Sequence, residues 1–161
     1  MKRLAALALV ATTAAAAAAY DANGVALGSS EALVTKTFPT AVCQPLQWSS
    51  ATAERRCDDR VTVGGVQGRI TFYLKADRVQ AFDLRFDPKD VERLATFLKK
   101  RYGAPASETR EKVEHRRGGE LYRLLWEKGR ERAVVTSQSD KRRAFFTVSR
   151  GDFEEQIYRV R

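Results

Sequence analysis

Two cysteines, one histidine and a scatter of carboxylates and arginines are the residues of this chain that have chemistry to offer. Nucleophilic catalysis needs a nucleophile, a base and a group that orients the base. His115 is the single histidine, and it reads as a solvated loop residue in the charged run His115-Arg116-Arg117. No Gly-x-Ser-x-Gly elbow is present. Paired carboxylates can run glycoside chemistry, but Asp58-Asp59 and Glu154-Glu155 are sequence neighbours set among arginines. Neighbours on a strand point to opposite faces, so both pairs read as ion-pair residues. Asp77 suits a turn and Asp87 a helix cap. Asp83 and Arg85 lie two residues apart and read as an ion pair on one strand face. Gly64-Gly65 and Gly118-Gly119 are lone doublets that suit turns better than phosphate cradles. No catalytic residue, metal site or cofactor is assigned.

Cys43 and Cys57 are the only cysteines. A metal site needs more ligands than two thiolates, and a redox pair usually has Cys-x-x-Cys spacing. The pair reads as a structural disulfide closing a loop of about 15 residues, worth about 3 kcal/mol in the chain-entropy model.

Positive charge is the other property with a physical consequence. The formal net charge is +9, of which Lys2 and Arg3 supply two. The cations fall in groups: Arg55 and Arg56 with Arg60 and Arg69, then Lys99-Lys100-Arg101, Arg116-Arg117 and Lys141-Arg142-Arg143. Converging, they would attract an anionic surface or an acidic protein. Arg55, Arg56, Arg116, Arg117, Lys141, Arg142 and Arg143 are the candidate contacts to such a partner. The alternative is that scattered cations only keep a small domain soluble. Trp48 and Trp126 read as core anchors.

The elements that must position these residues begin after a leader. Lys2 and Arg3 precede an uncharged run from Leu4 to Ala19 that turns alanine-rich and ends Ala17-Ala18-Ala19. That is the pattern of a cleavable signal peptide over residues 1–19, cut before Tyr20. The run of 16 is short for a spanning helix, which needs about 20 clearly apolar residues. A lipid anchor needs a cysteine at the cut, where Tyr20 stands. Removing the leader leaves about 140 of the 161 residues, enough for one domain over 20–161. Eight Phe, five Tyr and two Trp argue for a packed core. No later segment suits a membrane span. Export places the cysteines where disulfides persist, gives a periplasmic or secreted address, and disfavours nucleic acid as a partner.

Ser29 or Ser30 can cap a short helix carrying Leu33, Val34 and Phe38, which Pro39 ends. A second short helix is expected around 50–56. From Arg60 the period becomes two: Val61 and Val63, then Ile70, Phe72 and Leu74, then Phe82, Leu84 and Phe86, with turns at Gly64-Gly65 and Ala76-Asp77. Asp87-Pro88 opens the strongest helix, with Val91, Leu94, Leu98 and Tyr102 on one face. Lys99, Lys100 and Arg101 suit its carboxyl end, and Gly103 closes it. Residues 106–119 read as an exposed connection, with a ragged strand as the alternative within it. A second meander follows over 121–126, 133–136 and 144–148. Phe153, Ile157 and Val160 suggest a short amphipathic turn in the tail that docks on the body. The expected class is α+β: an antiparallel sheet of about six strands in two meanders, each preceded by a helix packed on one face. Residues 29–86 and 87–150 would form two such units.

The stretch Gly28-Ser29-Ser30, Val34 and Phe38-Pro39 resembles the helix opening of small exported domains. These include the outer-membrane β-barrel assembly lipoprotein family and the β-lactamase-inhibitor-protein-like domains. The resemblance covers residues 24–86. It implies short helices before an antiparallel meander and leans toward protein binding. The chain departs from the assembly family by lacking the lipid-anchor cysteine. Its second helix-and-strands unit looks more like the inhibitor-type duplication.

The leading expectation is a non-catalytic envelope protein that binds another macromolecule through its sheet face or a basic rim. Two alternatives stand beside it: a periplasmic enzyme with an unrecognised site, and a binder of anionic lipid or polysaccharide.

Overall fold

The structure, a computed structural model, describes residues 19–114 and 118–151. The leader through residue 18, His115-Arg116-Arg117, and the tail with Phe153, Glu154, Glu155, Ile157 and Val160 lie outside the described residues. A two-stranded hairpin, β1 (Asp21–Ala22) and β2 (Val25–Ala26), leads into helix α1 (Glu31–Thr37). Strands β3 (Val42–Pro45), β4 (Arg55–Val63), β5 (Val66–Lys75) and β6 (Arg78–Phe86) follow. A 3-10 turn, Pro88–Asp90, runs into helix α2 (Val91–Tyr102). Then come β7 (Ser107–Val113), β8 (Gly119–Lys128), β9 (Glu131–Gln138) and β10 (Arg143–Arg150).

Strands β3 to β10 form one eight-stranded sheet in the order β3-β4-β5-β6-β10-β9-β8-β7, antiparallel throughout. The order is palindromic. A helix and four strands occur twice, and the two units meet where β6 pairs with β10.

This overturns the expected α+β class with about six strands. The fold is mostly sheet, and its helices have only 7 and 12 residues. The difference comes from the two edges. β3 lies in a stretch too short to show a period, and β7 is a full seven-residue strand where the sequence suggests at most a ragged one. Nor is there a helix over 50–56, because Arg55 already opens β4.

One sheet face holds the core. Cys57, Val61 and Val63 of β4, Ile70, Phe72 and Leu74 of β5, and Phe82, Leu84 and Phe86 of β6 point to it, as alternation requires. Ala144, Phe146 and Val148 of β10 and Tyr122, Leu124 and Trp126 of β8 continue the layer. Val34 of α1, Leu94, Ala95 and Leu98 of α2, and Ala22 and Val25 of the hairpin join the same cluster. Local chemistry fixes these covers. Ser30 accepts from the Leu33 amide at 3.2 Å, and Asp77 in the β5–β6 turn accepts from the Glu31 amide at 3.1 Å. Asp87 accepts from the Lys89 amide at 3.0 Å. Gly64 turns the β4–β5 hairpin at φ +57, and the Phe97 ring of α2 fills the space a Cβ there would need.

Candidate functional site

The opposite face of the sheet carries the charge. Its layout follows from strand register, because residues directly opposite on paired strands share a face. Arg60 of β4 is opposite Arg69 of β5, and Arg69 is opposite Arg85 of β6. The line continues through Phe145 of β10 and Thr136 of β9 to Arg123 of β8. Arg60, Arg69, Arg85 and Arg123 are exposed. Arg143 opens β10 on the same face, two residues before Phe145, and is also exposed.

Two neighbouring rows explain why these arginines carry open charge. The next row contains Asp58, Thr71 and Asp83. Asp58 is held by Arg56 at 2.8 Å and accepts from the Thr71 hydroxyl at 2.7 Å. Asp83 accepts from the Tyr73 hydroxyl at 3.3 Å. The row beyond contains Arg56, Tyr73, Ala81, Ser149, Arg132 and Glu127. Arg132 pairs with Glu127 at 3.0 Å. Leu46, Trp48 and Ala53 fold over Tyr73 and Ala81 and cover this end of the face. Among the described residues, the ion pairs leave Arg60, Arg69, Arg85, Arg123 and Arg143 without a carboxylate partner. Arg60 and Arg69, with Thr62, Gln67 and Gly68, line a shallow depression of about 540 Å³. A second depression beside it adds Val42, Gln44, Arg56 and Asp58.

The candidate residues read from sequence are distributed otherwise. Arg55 points to the helix side, where it donates twice to Glu31 at 2.8 and 2.9 Å. Arg56 is spent on Asp58. Lys141 and Arg142 are exposed in the β9–β10 turn, and Arg143 reaches the open face. Arg116 and Arg117 lie outside the described residues. Asp83 and Arg85 share a face as expected, and among the described residues Asp83 accepts from the Tyr73 hydroxyl. Trp126 is a core residue at 2% exposure, whereas Trp48 belongs to the small cluster on the other face.

Cys43 and Cys57 face each other across β3 and β4 and form the disulfide. Glu31 brings a carboxylate oxygen within 4.8 Å of both sulfurs. The sulfurs share a bond and the carboxylate serves Arg55, so this trio is a structural joint rather than a metal centre. A network of ionisable groups joins β7 and β8 to α2. Tyr122 donates to Glu108 at 2.7 Å, Glu108 also takes Lys99, and Arg110 lies 3.6 Å over the Tyr122 ring. Burial and the Glu108 bond push the Tyr122 hydroxyl up to about 12, while Lys99 and Tyr122 hold Glu108 below the usual carboxylate range. Both shifts favour an ionised Glu108 and a protonated Tyr122 at neutral pH, as suits a structural clamp.

No family model, no curated protein and no solved structure matches this chain.

Proposed function

We propose that this chain is an exported, non-catalytic module that binds an anionic macromolecule through the open face of its sheet. The observation that carries this is the in-register row Arg60–Arg69–Arg85, exposed and without carboxylate partners among the described residues. Like charges placed directly opposite on neighbouring strands destabilise a sheet. A stable sheet gains nothing from three in a line, whereas an anion spanning them gains a preformed set of guanidinium forks. Among the described residues, the helices and the hairpin cover the other face, and the arginine row lies away from them.

Export is part of the same proposal. It is supported by the leader pattern of residues 1–19 and by the Cys43–Cys57 disulfide, which persists in an oxidising compartment such as the periplasm or the exterior. Among the described residues no helix is long and apolar enough to cross a membrane. The resemblance to small exported domains enters here as well, supported by a helix-then-strands unit that occurs twice.

The test is binding of the chain lacking residues 1–19 to inorganic polyphosphate, a flexible linear polyanion. Affinity should fall by roughly tenfold or more between about 50 and 200 mM salt. The triple variant Arg60→Gln, Arg69→Gln, Arg85→Gln should lose most of it, and the pair Lys141→Gln, Arg142→Gln much less. A triple variant that binds like the parent refutes the assignment.

A further inference from the structure

We infer that the open face takes a linear anionic polysaccharide lying across the strands, with one carboxylate-bearing sugar per arginine. The inference rests on the proposed function and names its ligand class. The spacing carries it. Arg60, Arg69 and Arg85 sit on three adjacent strands in strict register. Their backbones are therefore about 4.8 Å apart, and the outer pair about 10 Å apart. That pitch is comparable with the length of one sugar ring in an extended chain. Arg123, three strands beyond Arg85 on the same line, extends the track past Phe145 and Thr136.

The surroundings select against other anions. Asp58 and Asp83 lie two residues from Arg60 and Arg85 along their strands, about 6.8 Å away. The positive region is thus a line bordered on one side by carboxylates. Arg56 neutralises Asp58, so a planar anionic surface gains charge contact only along the line, which a single chain can follow. On the other border stand Thr62 and Gln67, opposite each other and exposed, whose hydroxyl and amide suit sugar hydroxyls. The large hydrophobic residue exposed on this face, Val42, stands at the sheet edge and off the line. Arginine rather than lysine at each position supplies a planar fork that donates two hydrogen bonds to one carboxylate.

The experiment measures binding of the chain lacking residues 1–19 to oligogalacturonates of one to six sugars, to polyglutamate and to phosphatidylglycerol vesicles, at one salt concentration. Oligogalacturonate affinity should climb steeply to about three or four sugars, and Arg69→Gln should lower it at least tenfold. Arg132→Gln, on the same face but engaged with Glu127, should change it less than twofold. Thermal unfolding of each variant checks that the fold is kept, and Arg85→Gln serves as a second probe of the row. Polyglutamate or vesicles binding as tightly as the glycan, or affinity indifferent to glycan length, overturns the ligand class. If those other anions bind through Arg69 while the glycan does not, the polysaccharide falls and the anion-binding face stands. If no probe depends on Arg69, both fall.

Discussion

Reduction of the Cys43–Cys57 bond changes no residue and removes one covalent tie, so its effect can be worked out from the structure. The two cysteines are 14 apart in sequence and directly opposite on β3 and β4. Closing a loop of about 15 residues removes about 10 cal/mol/K from the unfolded chain, or about 3 kcal/mol at room temperature. With a urea dependence of about 2 kcal/mol/M, the unfolding midpoint should drop by about 1.5 M. The loop also carries Leu46, Trp48 and Ala53 against Tyr73 and Ala81. The free strand β3 has only four residues at the sheet edge, ending at Pro45. Its freed end should therefore open locally before the whole domain unfolds. The assay is urea unfolding with and without a phosphine reductant, followed by amide exchange of both forms. Protection in the reduced form should be lost first at Gln44 and Leu46, while Phe72 and Phe82 keep theirs. A midpoint shift below about 0.3 M, or uniform loss of protection across β3 to β6, refutes the reasoning.

The remaining predictions concern the row and its scaffold. Arg69→Gln should raise stability by about 0.5 kcal/mol at low salt by relieving two like-charge neighbours, with the gain vanishing near 1 M salt; salt-dependent thermal melts check it. Gly68→Ala should cost about 3 kcal/mol in urea unfolding, because a Cβ there would meet the Arg85 carbonyl oxygen at 2.5 Å and Leu84 Cδ1 at 2.7 Å. Tyr122 keeps its proton to about 12 when folded and releases it near 10 when unfolded, so the folded chain holds more protons in between. Stability should be full below pH 10 and fall as pH rises toward 12, and Tyr122→Phe should flatten that slope in alkaline melts. Ser30→Ala should cost about 1 kcal/mol in the same unfolding assay through the lost cap of α1.

What the sequence reveals depends on how local the signal is. The alternations of β4 to β6, the caps at Ser30 and Asp87 and the stop at Gly103 are written within a few residues of where they act. β7 is not, because six of the seven residues of Ser-Glu-Thr-Arg-Glu-Lys-Val are exposed and its place comes from backbone pairing with β8. The arginine row is half legible. Arg60 and Arg69 are equidistant from the Gly64-Gly65 turn, and hairpin symmetry alone sets them opposite. Arg85 requires more. The turn at Ala76-Asp77 would pair Arg69 with Leu84, and the register shift next to Tyr73 and Leu74 brings Arg85 opposite instead. Arg123 joins only through the order of the whole sheet. Arg55 and Arg56 mislead as a doublet, since adjacent strand residues point apart and each meets its own carboxylate.

The seam between β6 and β10 sets a timetable. The ladder joins residues 81–86 to residues 144–149, so the partner of β6 is made about 60 residues after it. At roughly 5–20 residues per second, strands β3 to β6 wait several seconds with Phe82, Leu84 and Phe86 at an unfinished border. A chain that emerges amino end first thus presents an apolar, hydrogen-bond-hungry strand before its own second half arrives. Two nascent copies could zip together along that strand, and a holding chaperone is most needed in this interval.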